Sequence, residues 1–483
     1  MHALTTDTAV TVWWEKAEKA SEQYEILFNG AQCCTTAATH FTWEGLQPDT
    51  EYTVEVAGVG AAKVRTRRQI RRLDVTQAPY FAKGDGATLN TAAIQRAIDD
   101  CGAEECVYLP AGVYRTGALR LHSRMALCVA EGAVLQGTQT IADYEPRIPS
   151  RFEGIECVCY SSLLNMGSLD HDAAPNCEDV LIYGGGTIAG GGSVLARRII
   201  EDERVRLKAY LAELGDKVLE CENLDTIPGR ARGRLINMSN CRNIRITGLT
   251  LADGPCWNVH MVYSDHIVTD HCVFRSKGVW NGDGWDPDSS VDCTLFACRF
   301  YTGDDAVAIK SGKNPEGNLI NRPTRRIRIF DCISCLGHGI TIGSEMSGGV
   351  EDVRIWDCDL GRAKYGIEIK GTKKRGGYVR NVQVRDCTVA RILMHAVGYN
   401  DDGIGASAPP KFSGCRFENV RILGRSFDHE GAFTDVPAIE LEGFDELGYE
   451  VEDVAFRQCA VEREAEIRLN RCKRISMDIC ETK

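Results

Sequence analysis

The 483-residue sequence contains no long uninterrupted apolar run, so no segment is expected to span a membrane. A basic excess is also missing: 56 Lys and Arg stand against 68 Asp and Glu, a formal charge of -12 at neutral pH. That balance excludes nucleic acid as a partner, because phosphate binding requires a basic face. Proline is scarce at 14 residues while glycine reaches 48, which argues for many tight turns rather than disorder. The first twenty residues carry Glu15, Lys16 and Glu18 and lack the apolar core of a secretory leader, so a cytoplasmic location is expected. The paired CxxC spacing of a zinc site is absent. The 22 cysteines therefore read as reduced, buried small hydrophobes rather than a disulfide scaffold.

What is present divides at residues 67 and 75. From Thr8 to about Val64 the pattern alternates, in TAVTVWW, YEILFNG and HFTWEGLQPDTEYTVEVAG, each bounded by turn residues. Residues 1–67 are expected to form a small β-sandwich with Trp13 or Trp14 in its core. Leu46, Pro48, Thr50, Tyr52, Val54 and Val56 make this segment resemble the corner of a fibronectin type III domain. After the basic connection TRRQIRR, Ala93, Ile94, Ala97, Ile98 and Cys101 fall at helical spacing, with Thr88 or Asn90 as cap. Such a helix is suited to covering the open end of a stack.

From Val107 onward short apolar strands recur with Gly or Asn breaks, at a period of about 20 to 35 residues that marks a solenoid. Cys272, Cys298, Cys332, Cys358 and Cys387 recur at intervals of 26, 34, 26 and 29 residues and are expected to stack as an inward ladder of free thiols within the strands. Ser193 to Gly229 departs from the repeat and reads as a charged helical insertion between coils.

Acids concentrate where a coil should be apolar, in VWNGDGWDPDSS and YTGDDAVAIKSGKN. Asp283 and Asp304 lie 21 residues apart, close to one coil, so neighbouring coils bring them to one face. Crowded carboxylates cannot all ionise cheaply, and one is expected to hold a proton near neutrality, the equipment of glycoside hydrolysis. Taken alone, the acids fit a calcium site or Asp-rich turns equally well. His338, between Gly337 and Gly339, and Lys370, 32 residues further on, extend the set at successive coils.

These segments resemble the family 28 glycoside hydrolases, the polygalacturonases. The family signatures appear in order as Asn281-Gly282-Asp283, Gly303-Asp304-Asp305, Gly337-His338-Gly339 and Glu368-Ile369-Lys370, with AKGDGATLNTAAIQRAI, YLPAGVYRTGALRL and GPCWNVHMVYSDHI alongside. The resemblance implies an all-β, right-handed parallel β-helix of the pectin lyase-like kind over residues 75–483, and hydrolysis with inversion, without metal or other cofactor. It implies Asp304 as general acid, Asp283 and Asp305 as the groups that activate water, and His338 as the residue that tunes them. Lys370, Glu368, Lys310, His260, Asn281 and Arg375 would contact a pectic oligosaccharide. GSEMSGG and the fibronectin-like segment resemble exo-acting bacterial members.

Two positions depart from the family: Gly282 replaces a Thr not needed for proton transfer, and Glu368 replaces an Arg. An anionic substrate needs a basic cleft in so acidic a chain. The candidates are Lys310, Lys313, Arg322, Lys370, Lys373, Lys374 and Arg375, the last three offering a replacement cation. Alternatively Glu368 bonds the hydroxyls of a neutral sugar, as in rhamnogalacturonan. A calcium-dependent, pectate-lyase-like enzyme and a non-catalytic glycan-binding β-helix are the readings from other classes.

Overall fold

The computed structural model describes residues 1–17, 23–462 and 465–482. It contains two compact units, Met1–Leu73 with Cys101–Cys106, and Asp74–Asp100 with Val107–Lys483.

In the first unit the alternating segments pair into two antiparallel sheets. His2–Thr5, Val10–Trp13 and His40–Trp43 form one; Ala31–Thr36, Tyr24–Phe28, Glu51–Val56 and Gly60–Arg65, in that spatial order, form the other. Period-two alternation gives each sheet one apolar face, and Val10, Val12, Ile26, Val54 and Val56 pack with Trp14, Tyr24 and Trp43 as the core. Of the two candidate tryptophans, Trp14 lies in this cluster, edge-on to Tyr24 at 5.1 Å. The Gln47 amide donates to the Tyr52 hydroxyl at 3.0 Å, bracing the corner.

In the second unit the helix Thr91–Asp99 buries Ile94, Ala97 and Ile98 and packs on Leu119–Leu121, so it covers the first coil as expected. Asn90 stands at its N-cap but spends its side-chain amide on the Lys83 backbone. The coils that follow form a right-handed parallel β-helix. An eleven-stranded parallel sheet runs from Leu119–Leu121 to Ile467–Asn470, and a second long ladder supplies the remaining faces. Equivalent residues stack in register: Ile246, Thr269, Leu295, Ile329, Ile355, Val384, Phe417 and Phe456 lie one above the next. Each rung thereby buries the same position of its neighbours.

The cysteine ladder exists, but at the corners and not within the strands. His271, Ala297, Asp331, Asp357 and Asp386 adopt the left-handed conformation, with φ between 50° and 54°, and turn the chain between two strands. The following Cys272, Cys298, Cys332, Cys358 and Cys387 point inward and are buried. Each thiol donates to the carbonyl two residues earlier, at 3.1 to 3.3 Å. Only a small side chain with a weak donor fits such a corner. All 22 cysteines are free thiols.

The insertion is helical over Gly192–Arg206, Lys208–Leu214 and Thr226–Gly229, and it is anchored rather than merely solvated. Leu195, Ala196, Ile199 and Ile200 are buried, and Glu203 is sealed between Arg147 at 2.8 Å and Arg206 at 2.6 Å. Among the described residues no helix is long and apolar enough to cross a membrane.

Candidate active site

The site forms where the corners feed the strands of the eleven-stranded sheet. Trp285 pairs with Val307, Val307 with Ile340 and Ile340 with Ile367. Two residues before each stand Asp283, Asp305, His338 and Tyr365, so these side chains occupy equivalent places on four successive rungs. Immediately before them stand Gly282, Asp304, Gly337 and Lys364. Gly337 is at φ 110°, and a Cβ there would lie 2.1 Å from Thr302 Oγ1, so only glycine lets this corner close. A Cβ at Gly282 would lie 2.7 Å from the Val279 carbonyl, which accounts for glycine where a Thr was expected.

Asn281, Asp283, Asp304, Asp305, Lys310, His338 and Lys370 line one pocket of about 200 Å³. This is smaller than the ~300–1,000 Å³ typical of drug-sized ligands and on the scale of one sugar ring. His338 Nδ1 sits 2.8 Å from Asp304 and 3.3 Å from Asp305. Asp304 is the most open of the three acids, its side chain 26% exposed against 6% for Asp305 and 4% for Asp283. Asp304, Asp305 and His338 are also close enough together to share a metal ion.

The environments separate these groups electrostatically. Burial, then the charges of Asp286 and Asp304, push the Asp283 carboxyl well above the usual carboxylate range. Burial does the same to Asp286, against the opposing pull of Lys310. Burial also works against ionised Asp305, but Lys370 and the imidazole of His338 outweigh it and hold Asp305 below that range. For His338, burial disfavours the charged ring, yet Asp304 and Asp305 overcome it and raise the pKa to about 10. The expected crowding effect is therefore present, and its upward push falls on Asp283 and Asp286.

Three expected sugar contacts are corrected. His260 is completely buried beneath the hairpin Ile148–Phe152/Ile155–Cys159 and lies 3.5 Å from Asp288, which Arg151 pairs at 3.0 Å. Arg375 is also fully buried, donating to the Ser344 carbonyl, Asn314 Oδ1 and the Asn400 carbonyl. Glu368 does not reach the pocket: it pairs with Lys370 at 3.0 Å and His395 at 2.9 Å, so it sits behind the lysine. The other proposed cations are engaged as well. Lys313 binds Asp402, Lys373 lies 4.0 Å from Asp445, Lys374 lies 3.3 Å from Glu220, and Arg322 donates to the His171 carbonyl.

Sequence reasoning missed the wall that closes the pocket. Glu153, at the hairpin tip, and Glu222, from the insertion, line it together with Glu345, Tyr399 and Asn400. The wall is knit together: Arg230 pairs with Glu153 at 2.9 Å and Asp402 at 3.0 Å, and the Glu222 amide donates to Asn400 Oδ1 at 2.8 Å. Glu153 and Gly154, at φ 46° and 73°, form the two-residue turn that FEGI would have signalled. The pocket also gains Lys364 and Tyr365, beside His338.

Fold and site together define a class, a right-handed parallel β-helix carrying an acidic pocket on one sheet. Within it, residues 172–402 match the family model described as Glycosyl hydrolases family 28, and this segment holds every lining residue except Glu153. Among curated relatives, a probable polygalacturonase of Vitis vinifera is 34% identical over 324 residues, covering 63% of this chain and 58% of that protein. An exo-poly-alpha-D-galacturonosidase of Dickeya chrysanthemi is 28% identical over 396 residues, covering 77% and 64%. The chain thus spans about three fifths of the length of these relatives. The fold is shared with a family 28 exopolygalacturonase of Yersinia enterocolitica (TM-score 0.82, 20% identity, 99% of this chain and 94% of that one). It is also shared with an exopolygalacturonase of Thermotoga maritima (TM-score 0.69, 23% identity, 86% and 93%).

Proposed function

We propose that the protein is a glycoside hydrolase that removes galacturonate from the end of pectic oligosaccharides, with inversion. The observation that carries this reading is the pocket: Asp283, Asp304 and Asp305 stand in a space of about 200 Å³, the scale of one sugar ring, with Glu153, Glu222 and Asn400 also in its lining. A space of that size takes one sugar unit at a time, as a chain end presents it. Asp304, the most open acid, protonates the leaving oxygen, and the Asp304–His338 pair at 2.8 Å shares that proton. Asp305, held ionised, takes the proton of the attacking water, with Asp283 alongside to position it. Lys310, Lys364 and Lys370 carry positive charge into a largely acidic lining and favour an anionic sugar. The relatives named for galacturonan hydrolysis support the substrate class.

Two further parts of the reading are ours. The sheet orders of the first unit, three strands against four, support a fibronectin type III-like domain. The 22 free thiols, most of them buried, support a reducing, cytoplasmic setting.

The test is product analysis on defined oligogalacturonides. Wild type is expected to release monogalacturonate from one end without unsaturated products and without sensitivity to a chelator, and Asp304→Asn to lose at least ~100-fold in kcat while staying folded. Unsaturated ends lost with a chelator would mean a lyase; unchanged turnover in Asp304→Asn would remove the catalytic assignment.

A further inference from the structure

We infer that Lys364 is the residue that reads the carboxylate of the sugar on the leaving side of the cleaved bond, a role that rests on the hydrolase reading above. Position 368 holds Glu where the resembling family has Arg, and every cation expected to compensate is turned away or already paired. Lys310 is held by Asp283 at 3.7 Å, Asp286 at 3.9 Å and Glu345 at 3.5 Å, and Lys370 by Glu368 at 3.0 Å. Lys364 also lines the pocket, and among the described residues it forms no ion pair; its ammonium rests 5.0 Å from the centre of the Tyr365 ring.

Its place in the register is that of Asp304, two rungs further along the sheet, or about 10 Å at ~4.8 Å per rung. The Lys364 amide donates to the Gly337 carbonyl at 2.8 Å, which fixes the corner beside His338. A sugar seated against Glu153, Glu222 and Asn400, with its leaving group directed past Asp304 and His338, brings the next unit toward the far end of the same lining. The next unit of the chain therefore meets Lys364 and Tyr365 first. An unpaired ammonium beside an aromatic ring suits a uronate: the ring packs on the apolar sugar face while the charge binds the carboxylate.

The experiment compares Lys364→Met and Lys364→Arg with wild type on trigalacturonate. For Lys364→Met the expected result is a KM raised about 10- to 100-fold with kcat within about twofold, since a charge-assisted contact to the bound chain is lost while the reacting groups stay in place. Lys364→Arg should restore most of the affinity. An unchanged KM in Lys364→Met, or a rise that Arg does not rescue, would overturn the assignment. A wild type inactive on every galacturonide would instead overturn the proposed activity.

Discussion

At the residue scale, His338 is held charged by carboxylates on two sides, and the sign of its effect on stability can be worked out. A cationic group whose pKa rises on folding, here from 6.5 to about 10, stabilises the folded state fully below 6.5 and loses that contribution as pH climbs through 10. Replacing it with Asn should cost on the order of a few kcal/mol at pH 6 and much less above pH 10. Denaturant melts of both proteins at the two pH values check this, and a gap that does not change with pH would contradict it. The same pairing explains why Asp305 can serve as base: the charges that hold it ionised are Lys370 and His338, and both lie within the pocket.

At the element scale, the hairpin Ile148–Phe152/Ile155–Cys159 matters beyond its size, because it seals His260 and Asp288 and presents Glu153 to the pocket. Its anchor is the Arg151–Asp288 pair, both side chains 0% exposed at 3.0 Å. Removing one partner of a buried pair strands the other, so Arg151→Met is expected to cost ~3–5 kcal/mol in urea unfolding, and Arg151→Met with Asp288→Asn appreciably less. Equal losses in the single and double variants would show that the charge pair is not the anchor.

This hairpin also shows where sequence reading stops. Asp283, Asp304, Asp305 and His338 were legible because their spacing matches the coil, which a parallel stack turns into one face, and Lys370, five residues past the equivalent place of Tyr365, through the motif Glu368-Ile369-Lys370. His260 was expected at the sugar, but the segment that covers it lies far earlier in the chain and no local pattern announces the docking. Arg375, in GTKKRGG, has the composition of a solvated turn; its inward course depends on Asn314, Ser344 and Asn400, which three different loops supply. Glu368 was read as a sugar contact because it stands where the resembling family has Arg; it shares a strand face with Lys370 two residues on, but its carboxylate is taken up by Lys370 and His395.

At the scale of the whole molecule, the solenoid repeats its corners as strictly as its strands. A left-handed residue followed by a buried cysteine recurs at five successive corners, and the thiols are closed off by the packing that holds the coils together. Alkylation followed by mass spectrometry should reflect this. Cys33 and Cys480 are expected to react readily in the native protein, Cys34, Cys157, Cys335 and Cys472 slowly, and the remaining sixteen only after unfolding. Rapid native labelling at Cys298 or Cys332 would mean that the corners open far more easily than their burial implies.

The single-sugar size of the pocket has a consequence for how the proposed enzyme meets its polymer. Material that must be threaded in by a tip is limited by the number of tips, not by its mass. Long pectin would be nearly inert at first, and any activity that cuts within chains would multiply the work available to this one.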